Sequence, residues 1–181
     1  MKKKGCYIVS IIAVIPLILL YSWIDLNYSP IDIKSSQVRV IDGDSIVINK
    51  QRIRLKGIDT PELKQQCYNN NSNKSEPCGT YAKMKLRTLI GSNVVSCSYK
   101  GVDRYNRHLA YCYVKDKNLN IELVKQGYAV TYMNNNLLLE LHEAIAQTKK
   151  LGLWSTNFKL PSDWRKQNNE NKQSKKLLLK K

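Results

Sequence analysis

The chain has 181 residues, with 30 Lys and Arg against 14 Asp and Glu and a formal net charge of +16; its isoelectric point is about 9.7. That length excludes an array of domains and leaves room for one hydrophobic core plus attachments. The basic excess argues against a basic partner and for an anionic one: nucleic acid, an anionic membrane face or an acidic polymer.

Lys2, Lys3 and Lys4 precede an uncharged apolar run from Gly5 to Ile24. About twenty apolar residues can span a bilayer as a helix, and the lysines would stay in the cytoplasm. Residues 1–24 are therefore expected to be an uncleaved signal anchor, forming a transmembrane helix, or a cleaved signal peptide. Either alternative puts the rest of the chain outside the cytoplasm. The product would be a single-pass protein of the cell membrane with a periplasmic or extracellular domain, or a secreted one. Residues 25–35 read as a linker.

Strand signals come next, closely spaced. "QVRVI", "SIVIN" and "RIRLKGI" alternate apolar and polar positions, as half-buried strands do; Ile53 and Leu55 fall on one face, Arg52 and Arg54 on the other. Residues 63–79 form a polar loop. "TYAKMKLRTLIG" reads as a helix with Ala82, Leu86, Leu89 and Ile90 on one face and Gly91 as its stop. "NVVSCSYK" and "RHLAYCYV" are two more strands around "GVDRYN". "NLNIELVKQG" reads as a short helix, Asn-capped and Gly-stopped. "NNNLLLELHEAIAQTKKLG" reads as an amphipathic helix with Leu138, Leu141, Ile145 and Thr148 on one side. The fold class expected is thus a β-barrel plus α (α+β), a five-stranded OB-type barrel with about three helices over residues 36–164. Residues 165–181 hold seven basic residues and Glu170, and are expected to be a basic disordered tail.

Cys67 and Cys78 bracket "CYNNNSNKSEPC", while Cys97 and Cys112 sit on the last two strands. Four cysteines allow three pairings. An oxidising compartment and this placement favour disulfides Cys67–Cys78 and Cys97–Cys112 over a zinc site, for which C-x2-C spacing is missing.

The residues with chemical potential are concentrated in "RVIDGDSIVINKQRIRLKGIDTPE". Alone, "DGD" is a tight hairpin turn and "DTPE" another turn. Together they place Asp44 at the start of one strand and Asp59 just after the next. If those strands pair, both carboxylates emerge at one end of the barrel, as a hard cation such as Ca2+ or Mg2+ requires. Arg54, on the polar face of the same sheet, could reach a phosphate on that ion. Arg107 in "DRYNR" is either a solvated hairpin tip or a second guanidinium fork for the phosphate. With two histidines in the chain, His108 and His142, a His-based phosphodiesterase is a poor rival, and both read as structural or solvated.

The ordered set "IDGDS", "IRLKGIDTPE", "GTYAKMKLRTLI", "DRYNRHLAY" and "ELVKQGYA" resembles the thermonuclease family, whose type is staphylococcal nuclease. The resemblance runs from about Val38 to Trp154. It implies an OB-fold barrel with helices and a monomeric, Ca2+-dependent endonuclease acting on DNA, RNA or both with little sequence specificity; the alternative is a catalytically silent nucleic-acid-binding barrel. It further implies Asp44 and Asp59 as Ca2+ ligands with the Thr60 carbonyl, and Asp42 supporting them from behind. Arg54 and Arg107 would hold the scissile phosphate, Glu62 would activate or orient the attacking water, and Tyr105 would line the nucleotide site. Two departures stand out. Asn106 replaces the usual Gly of the hairpin and, tolerating positive φ, should keep the turn. Tyr128 and Tyr132 lie at shifted positions relative to the tyrosines of the type enzyme. The Cys-bracketed loop resembles an exported bacterial subgroup.

Overall fold

The computed structural model describes residues 33–133 and 136–179. The apolar run of residues 5–24, and residues 25–32 of the expected linker, lie outside the described residues. Among the described residues no helix is long and apolar enough to cross a membrane.

The five expected strands form the main sheet: β2 (Val38–Val40), β3 (Ser45–Ile48), β4 (Gln51–Leu55), β8 (Val95–Val102) and β9 (His108–Val114). Two short strands enlarge it to seven. β1 (Ile33–Ser35) pairs with β8, so the linker reading fails at its last three residues, and β10 (Lys117–Asn118) pairs with β9. The order β1-β8-β9-β4-β3-β2 joins two antiparallel runs through the parallel β4–β9 pair. The result is a nearly closed, barrel-like sheet around a core that includes Ile46, Ile48, Ile53, Leu55, Val95 and Cys112. The alternation in β4 emerges as read: Ile53 and Leu55 are buried, while Arg52 is exposed and Arg54 half-buried.

Among the described residues four α-helices accompany the barrel, one more than expected. α1 (Cys78–Ile90) buries Ala82, Leu86 and Ile90 and ends at Gly91. α2 (Leu119–Lys125) follows the Asn118 cap, whose side chain accepts from the Ile121 N–H. Buried Asn120 ties α2 to the sheet, donating to the Lys56 carbonyl at 2.8 Å and accepting from the Cys112 N–H at 3.1 Å. In α3 (Leu137–Thr148) the buried residues are Leu139 and Ala146; Leu138, Leu141 and Ile145, expected on its apolar side, are exposed. Glu143, between Leu139 and Ala146 on the inner stripe, accepts from the N–H and hydroxyl of Thr131 at 2.9 and 2.6 Å. That contact turns the helix away from the more apolar stripe.

The polar loop contributes β6 (Cys67–Asn69) and β7 (Ser75–Glu76) to a small sheet that β12 (Thr156–Asn157) completes. Disulfides join Cys67 to Cys78 and Cys97 to Cys112, the favoured pairing. The second bond crosses a directly opposed pair of the β8–β9 ladder. With these sulfurs paired, a four-cysteine zinc site is ruled out. The expected disordered tail is corrected for most of its length: residues 165–178 belong to α4 (Pro161–Leu178). Pro161 supplies a preset φ at the first helical turn, and buried Gln65 donates its side-chain N–H to the Lys159 carbonyl at 2.7 Å just before it.

Candidate active site

The chain's local geometry explains how the acidic pair forms. Asp44 immediately precedes β3, and the β3–β4 register sets Ser45 opposite Arg54. The chain then turns at Lys56–Gly57 and returns as β5 (Ile58–Asp59), which pairs with β11 (Val130–Thr131). Asp44 and Asp59 are both buried. Arg54 lies between them, donating to Asp44 Oδ1 at 2.8 Å and to Asp59 Oδ1 at 2.9 Å. The Thr60 N–H donates to Asp44 Oδ2 at 3.3 Å, and the Ser45 hydroxyl to Asp44 Oδ1 at 3.0 Å. Asp42 stands behind, accepting from the Asp44 N–H at 3.1 Å.

Burial pushes the Asp44 carboxyl up, to about 7, against the pull of Arg54; the nearby carboxylates of Asp42 and Asp59 add to the rise. Burial works against the Arg54 charge, but Asp44 and Asp59 more than offset it and raise that guanidinium.

Arg107 is no free hairpin tip. Its Nε and Nη2 both lie 2.7 Å from Asp103 Oδ2, and its Nη1 donates to the Ser45 hydroxyl at 3.3 Å. The guanidinium therefore reaches the neighbour of Asp44. Asp103 also accepts from the backbone N–H groups of Tyr105 and Arg107. Burial opposes its ionisation, yet these N–H groups and the Arg107 side chain hold its carboxyl below the usual range. Asn106 adopts φ of 58°, so the turn survives the loss of Gly. Tyr105 is exposed at the rim, with the Arg107 and Arg104 guanidinium carbons 5.6 and 4.9 Å from its ring centroid.

These groups meet in a cleft of about 810 Å³, lined by Asp42, Asp44, Arg54, Thr60, Glu62 and Arg107 among others. Tyr105 and Tyr132 line it too; Tyr128 does not, and packs instead beside the core under Lys85. His108 is likewise set apart, edge-on to Tyr99 with ring centroids 5.4 Å apart.

Three participants carried no sequence signal as site residues. Arg165 of α4 forks onto Asp59, with Nη1–Oδ1 2.9 Å and Nη2–Oδ2 2.7 Å, and reaches Glu62 Oε1 at 3.0 Å. The hydrogen bond to Asp59 raises its guanidinium pKa despite partial burial. Gln65 positions the Glu62 segment, accepting from the Glu62 N–H at 3.3 Å through its side chain while its own N–H donates to the Glu62 carbonyl at 2.7 Å. Gly79, near the start of α1, lies against the Glu62 backbone so closely that a Cβ there would collide with the Glu62 carbonyl. The proline preceding "SDWRK" was a legible helix start, and it could have flagged α4.

The sequence has counterparts among known proteins. The family model described as "Staphylococcal nuclease homologue" matches residues 52–156. The chain belongs to this family. It is 37% identical over 139 residues to a protein of Haemophilus influenzae named "Uncharacterized endonuclease", covering 72% of this chain and 71% of that one. It is 31% identical over 170 residues to the "Thermonuclease" of Staphylococcus intermedius, covering 84% of this chain and 98% of the relative. A "Micrococcal nuclease" of Shigella flexneri is 31% identical over 153 residues, covering 75% and 82%.

No three His, Cys, Asp or Glu residues cluster as a metal site among the described residues. The oxygen set here is of another kind, two carboxylates with the Thr60 backbone beside them. Its chemistry fits a hard divalent cation. The upward shift of Asp44 marks a buried carboxylate that a single arginine does not fully compensate, which suits the same cation.

Proposed function

We propose that this protein is an endonuclease that hydrolyses phosphodiester bonds of DNA, RNA or both, with little sequence specificity and with Ca2+ as its cofactor. Asp44, Asp59 and the Thr60 carbonyl would hold the ion, with Asp42 supporting Asp44 from behind. When bound there, such an ion supplies polarisation of the phosphate and a site for the attacking water. The observation that carries this reading is the convergence of Asp44, Asp59, Arg54, Glu62 and Arg107 on one end of the barrel.

Glu62 is the one carboxylate of the group that is not deeply buried, its side chain 37% exposed. It is suited to take a proton from water or to orient it. Arg54 and Arg107 are each immobilised by aspartates, so they would meet the charge that builds on the phosphate without reorganising. Tyr105, exposed at the rim of the cleft, would contact the adjacent nucleotide. Phosphate-directed contacts carry no base information, which supports low specificity.

Lys2–Lys4 and the apolar run to Ile24 support a further part of the proposal: a monomer held at the outer face of the cell membrane, or released if the segment is cut. The test is digestion of single-stranded DNA, duplex DNA and RNA by the full chain in detergent, with Ca2+ or with a chelator. Cleavage that requires Ca2+ supports the reading. Tight binding without cleavage in any cation would favour the silent nucleic-acid-binding barrel.

A further inference from the structure

Helix α4 forms a wall of the cleft. Ser162, Arg165, Lys166 and Asn169 all line it, and their spacing of three, one and three residues puts them on one helical face. Arg104, Tyr105 and Arg107 from the β8–β9 hairpin, and Arg52 and Arg54 of β4, line the same cleft. The helix as a whole has five basic residues against Asp163 and Glu170.

It is also tied mechanically to the reacting end. Gln65 holds both the Glu62 N–H and the Lys159 carbonyl that leads into α4, so the helix and the Glu62 segment share one buried residue. The Arg165 fork on Asp59 is the most specific feature. A guanidinium presented in a fork to a carboxylate is equally matched to two oxygens of a phosphodiester.

We propose that α4 is a substrate-binding element of this enzyme and that Arg165 is a third phosphate-holding arginine, beyond Arg54 and Arg107. The ligand is the backbone of a polynucleotide strand lying between α4 and the β8–β9 hairpin. Arg165 contacts a phosphate beside Glu62, while Lys166 and Asn169 contact the strand further along. If Asp59 held a cation, Arg165 would keep Glu62 as a partner, and the donors now on Asp59 would be available to phosphate oxygens. This inference rests on the nuclease reading for its substrate class.

The experiment separates binding from cleavage. In a Glu62→Gln background, which keeps the proposed cation ligands, affinity of the full chain for an oligothymidylate is measured in Ca2+ at several salt concentrations. It is compared with Arg165→Ala, Arg165→Lys and the double variant Lys166→Ala/Asn169→Ala. Arg165→Ala is expected to weaken binding roughly tenfold or more and to reduce the log–log salt slope by about 0.7, the loss of one phosphate contact on a single strand. Arg165→Lys is expected to keep the slope and recover part of the affinity. The double variant removes two exposed side chains, so folding is not at issue; with Glu62 intact it is expected to raise KM severalfold at unchanged kcat.

Unchanged affinity and salt slope in Arg165→Ala would overturn the proposal. So would unchanged oligonucleotide binding accompanied by tighter Ca2+ binding in calorimetry, which would make Arg165 only a counter-charge for Asp59. A wild-type chain that binds the oligonucleotide through α4 but cleaves nothing would sink the hydrolase reading and leave this one standing.

Discussion

At the scale of single residues, the proposed roles separate by what each substitution removes. Glu62→Gln removes the base but leaves Asp44 and Asp59, so Ca2+ should still bind while turnover falls. Arg107→Ala removes a preorganised donor, and losing one such group costs roughly 10²–10³ in kcat. Asp44→Ala should lose activity that high Ca2+ partly restores. Turnover on single-stranded DNA at varied Ca2+ checks all three; near-wild-type rates in both Glu62→Gln and Arg107→Ala would place the chemistry elsewhere. The Asp44 carboxyl adds a pH signature. Raised to about 7, it carries a proton below that pH in the cation-free protein. A cation must then displace the proton, so affinity falls as pH drops. Calorimetric Ca2+ titrations are expected to weaken toward tenfold per unit below about 7 and to level off above about 8, because one proton is released per ion. Equal affinity at pH 5.5 and pH 8 would contradict this.

At the scale of elements, the site depends on close approaches between segments. The start of α1 presses on the Glu62 backbone at Gly79, where no side chain fits. Gly79→Ala must push the two apart. It is expected to lower kcat at least tenfold, since small misplacement of a reacting group is costly, while the Asp44–Arg54 ion pair and Ca2+ binding persist. Parallel kinetics and Ca2+ calorimetry would show the split; unchanged kcat in a folded variant would mean that Glu62 needs no such support. The disulfides act at the same scale. Cys67–Cys78 fastens the β6–β7 hairpin to the start of α1, and Cys97–Cys112 cross-links β8 to β9. Sequence separations of 11 and 15 residues correspond to about 3 kcal/mol each in the chain-entropy model. Replacing Cys67 and Cys78 together by Ala should lower the unfolding midpoint by roughly 5–10 °C, by calorimetry. A shift under about 1 °C would mean that the loop is held by its hydrogen bonds alone.

At the scale of the whole molecule, a small cluster of carboxylates sits in a cleft whose charged lining is mainly basic, within a strongly basic chain. In the proposed nuclease, the excess charge would draw a polyanion in through its phosphates, and the buried carboxylates would hold the cation that offsets the phosphate charge. If the segment from Gly5 to Ile24 anchors the chain, protease added to intact spheroplasts should remove the nuclease domain. Protection until lysis would contradict an external location.

Much of this architecture is legible in the sequence, because it is local. Alternation marks the five main strands; the Asn118 cap and Gly91 bound helices; and Asp42 through Glu62 fall within one short stretch, brought together by adjacent hairpins whose register follows from that alternation. The fold family followed from the spacing of these motifs. Tertiary structure decided the rest, because it depends on contacts between distant segments that no local period encodes. The buried stripe of α3 is the one carrying Leu139, Ala146 and the Glu143 that meets Thr131, rather than the one carrying Leu138, Leu141 and Ile145. Composition made residues 165–178 look like a solvated tail, since a basic, polar stretch cannot build a core of its own. That stretch is ordered against the site by a proline start, a bond from Gln65 to Lys159, and the buried charge of Asp59, 106 positions away from the arginine that answers it.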